Sequence, residues 1–353
     1  MRHSRLRPRR TLPGLLIGMT IIAVAALVAP LLPAAAAAAP PAGARGNGVD
    51  ADTDVYIRDY VGDAGVEPHS NSVWTSPDIK VCPTAVECAT SQNPEVGSVN
   101  YIFVKLNNPG PYGSGADVGT LDVYRSSPGG GTGWISDWTS IGGILGFSVA
   151  ASGVTTAVIP WPDVPGPGHF CLLARWESND DPMSFPEGPN TVLNTQQNNN
   201  IAWRNVDSVD LYFNKPQVRP YAIGNPGRER IATDLAFADP RGGYLASGGR
   251  LVVDLGPEVY ARWREGGGRA AGIKQVGETS FEIADFRQAR FYGVLLDPGT
   301  RPELKLEFSM TSSARKSKHV IRVNQIAPLD AGQTAKVMTD VGGVEYQVTI
   351  NGA

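Results

Sequence analysis

The sequence predicts an all-β protein made of two tandem β-sandwich domains, and three observations support this prediction. Gly (41) and Pro (28) make up about a fifth of the 353 residues, a composition typical of many short strands joined by turns. Strand patterns recur at the intervals expected for a sandwich, whereas the best helical pattern, at 258–265, is brief. Two prolines, Pro216 and Pro220, separate an earlier series of strands from a later one.

The first sandwich is predicted over 53–212. Its strongest strand, 99–106, combines β-branched and aromatic residues and ends at an Asn-Asn-Pro-Gly turn. The other strands of this domain are predicted at 54–58, 78–82, 121–124, 134–138, 155–159, 169–176 and 201–211. The glycine run at 129–131 lacks the Lys-Ser/Thr that follows a phosphate-binding loop, so it is predicted to be a flexible turn.

A linker or strand switch is predicted at 213–220, and the second sandwich over 221–353. Apolar residues alternate with polar ones at 251–255, 304–310, 321–323 and 344–350. This period of two is typical of an antiparallel sheet with one buried face. The last strand follows a Gly-Gly pair, so we expect the end of the chain to be paired in a sheet.

The first 38 residues are predicted to be a secretory signal peptide. A basic head at 1–10 precedes an apolar stretch at 15–32 and an alanine run at 34–39, which is the order of an export signal. The Arg9-Arg10 pair points to twin-arginine export, and residues 39–52 are predicted to be a flexible leader. The alternative is an uncleaved membrane anchor. The prolines and the alanine run at 34–39 favour cleavage, so we expect a secreted protein that is not stably inserted in a membrane.

The charge balance excludes two classes of partner. Six of the 31 Lys and Arg residues precede residue 46 and no acidic residue does, so the rest carries 25 bases against 34 acids, a net charge of −9. An acidic chain is not suited to bind nucleic acid or an anionic lipid surface through its net charge. We therefore expect an extracellular protein or glycan as the partner.

The three cysteines agree with export, because an oxidising compartment permits a disulfide. Cys82 and Cys88 flank a short loop, and their pairing is predicted. Cys171 lies in an apolar strand pattern, where a buried free thiol is expected. The alternative pairs Cys171 with one of the other two cysteines. No spacing resembles a zinc-thiolate site.

Part of the first domain resembles a known group of modules. The segment Tyr101-Ile-Phe-Val-Lys-Leu-Asn-Asn-Pro-Gly110 is similar to a signature of bacterial immunoglobulin-like modules, in which alternating valines lead into Asn-x-Gly. The segments 54–59, 76–79 and 199–205 also look like such exported modules, among them the cell-adhesion-related domain of secreted bacterial proteins. The resemblance covers about 53–211. It implies an immunoglobulin-like sandwich and a non-catalytic spacer or binder, with no catalytic residue to carry over.

Acidic residues cluster early in the predicted mature chain. Four loop carboxylates are the candidate calcium ligands: Asp59, Asp63, Glu67 and Asp78. Calcium is bound by several oxygens, and an extracellular medium supplies the ion; no other cofactor is predicted. A second acidic group follows a strand at 177–181. Neither group has EF-hand spacing, so the alternative is solvated acids that form caps and Asx turns.

Trp134 and Trp138 are the candidate ligand-binding residues. They are four apart, so in an extended strand both rings point to one face. There they would offer flat platforms for a sugar, with Ser136 and Asp137 as polar neighbours. The alternative is core packing, because tryptophan is mostly buried in sandwiches.

No catalytic motif is recognisable. The sequence has neither a His-Glu-x-x-His pair nor a Gly-x-Ser-x-Gly elbow. Of the histidines His69, His169 and His319, the last two are expected at the surface or at sheet edges. The sequence favours a secreted, non-catalytic binding or adhesion module that engages its partner through loops or edge strands. The alternative is a secreted carbohydrate-active hydrolase or its accessory module.

Overall fold

The computed structural model describes residues 53–166, 168–328 and 337–352. The predicted signal peptide (1–38) and leader (39–52) lie outside these residues. The described residues belong to one compact unit built almost wholly from strands, and the predicted all-β sandwich class is confirmed. In this part of the chain, neither helix is long and apolar enough to cross a membrane.

Seven of the described strands belong to the first half of the molecule, which ends at Asn205, and they form two sheets. In chain order they are β1 (Ile79–Cys82), β2 (Asn100–Asn108), β3 (Asp117–Ser126), β4 (Thr139–Val149), β5 (Gly153–Trp161), β6 (Cys171–Ser178) and β7 (Ile201–Arg204). The order is β1-β2-β5 in one sheet and β4-β3-β6-β7 in the other. A short helix, α1 (Thr191–Gln197), precedes β7, and the Asn190 side chain caps it by accepting the backbone N–H of Leu193.

The alternating apolar residues of β2 form part of the hydrophobic core of the first half. Alternate residues Ile102, Val104 and Leu106 are fully buried and pack into one cluster with Leu121 and Trp176 of the facing sheet. Each such side chain contributes about 1.5–3 kcal/mol when it leaves water. The period of two read from the sequence therefore corresponds to the inward face of the sheet.

Eleven strands and one helix belong to the second half. The strands are β8 (Val206–Leu211), β9 (Gln217–Ala222), β10 (Ile231–Ala238), β11 (Gly249–Asp254), β12 (Arg269–Ala271), β13 (Ile273–Gln275), β14 (Ser280–Ile283), β15 (Arg290–Leu296), β16 (Glu303–Met310), β17 (Ser317–Pro328) and β18 (Met338–Ile350). Their order is β12-β15-β10-β17-β18-β8 in one sheet and β13-β14-β11-β16-β9 in the other. The helix α2 (Gly256–Glu265) corresponds to the predicted helical pattern.

One predicted strand is divided between the two halves. Residues 201–211 were expected to form a single strand of the first sandwich, but the chain changes sheet at Asn205: β7 pairs with β6, and β8 runs parallel to β18. The last strand is thus paired as expected, although one of its two neighbours is parallel and not antiparallel. Residues 217–220 of the predicted linker are part of β9. The domain boundary itself stays a prediction.

Three further expectations about local structure were wrong. The strand predicted at 134–138 is absent, because 134–137 form a turn, and 54–58 contributes only an isolated bridge between Tyr56 and Asn107. Strand β4 was not predicted, because three glycines interrupt its apolar pattern. Residues 129–131 are not a flexible surface turn: all three glycines are buried where the two halves meet.

Those glycines are required by close backbone contact. A Cβ at Gly129 would overlap the backbone of Ala222, and one at Gly131 would overlap the carbonyl oxygen of Gly224. Gly129 also forms a bridge with Ala222, and the Gly130 N–H donates to the Ala222 carbonyl at 3.0 Å. The glycine loop 129–131 therefore brings the main chains of the two halves into direct contact.

We expect Gly224→Ala to lower the free energy of unfolding by about 1–3 kcal/mol or more, because the new methyl group meets the backbone of Gly131. Urea unfolding measures the loss. The matched control is Gly188→Ala, where a Cβ has nothing within 4 Å and the expected change is within about 0.5 kcal/mol. Equal stability of the two variants would contradict the close contact.

Candidate functional site

The structure separates the four candidate calcium ligands. Asp59 and Asp63 lie together with His69: one ligand atom from each of the three is within 4.8 Å of the others. Asp78 is elsewhere. It is buried, forms an ion pair with Arg58 at 2.5 Å and accepts a hydrogen bond from Asn107 Nδ2 at 2.8 Å. Its charge is therefore already balanced by a guanidinium.

The loop that carries the Asp59–Asp63–His69 cluster is held by hydrogen bonds of Asp63. Asp63 Oδ2 accepts the backbone N–H of Asp59 at 2.8 Å, and Oδ1 accepts that of Gly65 at 2.9 Å. Gly65 has a φ of 76°, a left-handed conformation that suits glycine. His69 Nε2 lies 3.0 Å from Asp59 Oδ2. Sequence reasoning missed His69, since its spacing matched no metal-binding motif.

The charge of this cluster is not balanced. Asp59 is only 2% exposed, and its Oδ1 has no hydrogen-bond partner among the described residues. Burial, with repulsion from Asp63 and Glu67, raises the pKa of Asp59 well above its usual range. Burial lowers the pKa of His69, so its ring is neutral near pH 7 and supplies no compensating charge.

Glu67 belongs to a second group of buried carboxylates, with Asp54 and Asp181. Burial and then repulsion from Asp54 raise the pKa of Glu67 to about 8. Burial is also the main reason that the pKa of Asp181 is raised to about 7. Amide donors hold the group: Asn199 N–H reaches Glu67, and Asn200 Nδ2 donates to Asp181 at 2.9 Å. The sequence analysis did not predict this arrangement, although the three consecutive asparagines at 198–200 supply its amide donors.

The two candidate tryptophans do not share a strand face. Trp138 is buried, donates from Nε1 to Thr191 Oγ1 at 3.0 Å and packs edge-on against Trp203 at 5.8 Å. Trp134 is half-buried and packs edge-on against Tyr124 at 5.2 Å. Trp138 is therefore part of the core and offers no ring face to a sugar, while the ligand role of Trp134 stays a prediction.

The structure has a disulfide between Cys82 and Cys88 and leaves Cys171 as a buried free thiol. Burial raises the pKa of Cys171 to about 11, so the thiol is protonated at neutral pH. A protonated, buried thiol is chemically inert.

His169 and His319 lie at less open positions than expected, and the third histidine is His69 of the acidic cluster. His169 Nδ1 is 3.1 Å from Asp207 Oδ1, and His319 is buried with its Nε2 2.9 Å from Ser317 Oγ. Across the residues that the structure describes, none of the three bonds both a carboxylate and a hydroxyl. A Ser-His-Asp arrangement is therefore not formed there.

A cleft of about 320 Å³ lies where loops of the first half meet β8, β17 and β18. Three arginines line it: Arg204, Arg241 and Arg322. Its single acidic residue is Glu345, and Val61, Val206 and Val320 contribute apolar walls. The walls come from distant parts of the chain, and sequence reasoning missed the cleft for that reason.

The cleft has an excess of positive charge. Arg322 forms an ion pair with Glu345 at 2.9 Å. Arg204 donates from Nη1 to the Ser76 carbonyl at 2.8 Å, and burial lowers its pKa. Arg241 is exposed and has no hydrogen bond or ion pair with any described residue. Glu345 also attracts Arg204, but three guanidinium groups against one carboxylate leave the described lining with an excess of two positive charges.

No protein-family model and no curated protein matches the chain. Among solved structures it is similar to the CupB6 tip adhesin from Pseudomonas aeruginosa, with 10% identity and a TM-score of 0.22 over 78% of this chain and 99% of that chain. Red sea bream transglutaminase (11%, TM-score 0.20) and alpha-2-macroglobulin from Escherichia coli (10%, TM-score 0.23) are also similar over 78% of this chain.

The chain spans only 31% of that transglutaminase and 18% of that macroglobulin. TM-scores this low do not establish a shared fold. The immunoglobulin-like assignment of the first sandwich therefore stays a prediction.

Asp181 predicts a pH dependence of stability. Its folded-state pKa of about 7 exceeds the usual 3.8, so only the folded state holds the proton between these values, and stability falls as pH rises through this window. We expect Asp181→Asn, which keeps an acceptor oxygen for Val55 and Asn200, to weaken this fall and to be more stable than the wild type at pH 8.

Urea unfolding at several pH values from 4 to 8 measures this effect. The matched control is Asp180→Asn, because the neighbouring Asp180 is exposed. This substitution should leave the dependence of stability on pH unchanged. Parallel profiles of the wild type and Asp181→Asn would contradict the prediction.

Proposed function

We propose that this protein is an extracellular, non-catalytic binding module that engages a carboxylate-bearing protein or glycan through the arginine cleft. The observation that carries the proposal is the excess of two positive charges in the described cleft lining of a chain whose net charge is −9 beyond residue 45. The Cys82–Cys88 disulfide supports an extracellular location, since such bonds persist in oxidising compartments.

The chemistry of the cleft favours carboxylates. A guanidinium presents a planar set of donors that fits a carboxylate with two parallel hydrogen bonds. Arg241 donates to none of the described residues, whereas Arg204 is held in place by Ser76. The valine walls would contact the apolar stem that carries the carboxylate. Local charge thus attracts a ligand that the net charge of the protein repels at long range.

Edge strand β4 is a second surface that suits a binding role. Among the described strands it pairs with β3 alone and forms the edge of its sheet, and Leu145 on it is 83% exposed. An extended segment of a protein partner can add to such an edge. This mode fits a protein partner and not a glycan.

The hydrolase alternative is less well supported by the cleft. Glycoside hydrolysis uses a pair of carboxyl groups on either side of the bond to be cleaved. The described cleft has one carboxylate, Glu345, and Arg322 already engages it. A binding role requires no such pair.

We expect the protein to bind poly-L-glutamate or polygalacturonate, which carry carboxylates on a peptide and on a sugar chain. Binding should weaken as salt is raised from low to physiological concentration, because the ligand is charged. Arg241→Glu should weaken binding by about tenfold at low salt through loss and reversal of one rim charge. Fluorescence anisotropy with labelled polymer measures both effects.

The matched control is Arg228→Glu, which makes the same charge change at an exposed residue outside the cleft lining. It should bind as the wild type does. Binding of neither polymer, or an equal loss in both variants, would overturn the proposal. A preference for one polymer identifies the partner class.

A further inference from the structure

We propose that Asp59, Asp63 and His69 form a binding site for a divalent transition-metal ion of the Zn²⁺ type. The proposal concerns a different site from the arginine cleft and does not depend on the proposed function. It also differs from the calcium site expected from the sequence, because the structure replaces two of the four expected oxygen ligands with an imidazole.

The distances suit a small ion. One ligand atom from each of the three side chains is within 4.8 Å of the others, and Asp59 Oδ2 and His69 Nε2 are 3.0 Å apart. Two ligands that each lie about 2.0–2.1 Å from a metal are separated by roughly 2.9–3.4 Å in octahedral or tetrahedral geometry. The pair thus has nearly the required separation before an ion binds.

An independent observation supports the site. Asp59 is 98% shielded from solvent, being 2% exposed, and its Oδ1 has no partner in the described part of the chain. Buried carboxylates are normally paired with a cation, hydrogen-bonded or used to coordinate a metal. A bound cation would supply the partner that Asp59 lacks and would offset its repulsion with Asp63.

The donor types select the class of ion. Calcium and magnesium prefer sets made only of oxygen ligands, whereas imidazole suits zinc and its neighbours. Glu67 is outside the three-residue group and accepts the backbone N–H of Asn199. Three protein ligands leave at least one position of the ion for water.

Binding requires one change in His69. The metal takes the lone pair of Nε2, so the ring proton must lie on Nδ1. Nδ1 now accepts the backbone N–H of Asn71 at 3.3 Å in an exposed position, and this long contact would be given up. The hydrogen bond between Nε2 and Asp59 Oδ2 would also be given up, and an ion bound to both atoms would take its place.

The test is calorimetric titration of the untagged, EDTA-treated chain with ZnCl₂, and separately with CaCl₂. We expect one Zn²⁺ per chain, bound roughly 100-fold more tightly than Ca²⁺, and a higher unfolding midpoint with Zn²⁺. His69→Gln keeps an N–H donor for Asp59 but loses the imidazole, and Asp63→Asn keeps an acceptor for the loop amides. Each should weaken Zn²⁺ binding by about 100-fold.

Asp180→Asn is the matched control, since it removes an exposed acid outside the cluster, and it should bind Zn²⁺ as the wild type does. If a variant does not fold, Co²⁺ absorption of the wild type decides: a saturable spectrum that differs from that of hydrated Co²⁺ supports the site, and the spectrum of hydrated Co²⁺ alone overturns it. Tighter Ca²⁺ than Zn²⁺ binding, or Zn²⁺ binding unaffected by His69→Gln, would also overturn the proposal.

Discussion

The direct backbone contact between the glycine loop 129–131 and the second half is the constraint on which the rest of the structure depends. Only residues without a Cβ allow the chain to approach Ala222 and Gly224 this closely. Asn205 adds to the contact by donating from Nδ2 to the carbonyl oxygens of Gly129 and Gly343. Trp74 Nε1 reaches Asp340 across the same junction at 3.2 Å. Because these groups are buried, leaving any of them unpaired would be costly.

This junction also places the arginine cleft. Arg204 and Val206 stand on either side of Asn205, the residue where the chain changes sheet, and both line the cleft. The opposite wall comes from β17 and β18, which are paired to each other, and β18 is also paired to β8. Arg204, Arg322 and Glu345 are therefore mounted on paired strands, whereas Arg241 lies in a turn. Strand support holds a binding site more precisely than loops alone do.

The buried carboxylates of the first half have a different physical character. Burial separates them from water without giving each a cation, so repulsion and desolvation raise the pKa values of Asp59, Glu67 and Asp181. Asp78, in a similar environment, has Arg58 as its partner. Whether an acid of this half is left without a cation or forms an ordinary ion pair is decided here by the position of one guanidinium. Unbalanced groups of this kind are often found at functional sites.

The sequence by itself determined the all-β class, most strands with a clear period of two, the brief helix α2 and the Cys82–Cys88 pairing, because these depend on neighbours close along the chain. Strand β4 and the helix α1 were not predicted from the sequence. The glycines of β4 interrupt its apolar pattern, and the seven residues of α1 are too few to show a helical period. The tertiary structure alone decided that His69 lies beside Asp59 and that Asp78 lies away from both. It also decided that Trp138 is buried in the core and that three arginines line one cleft. Those relations join residues far apart in sequence, and local periodicity carries no information about them.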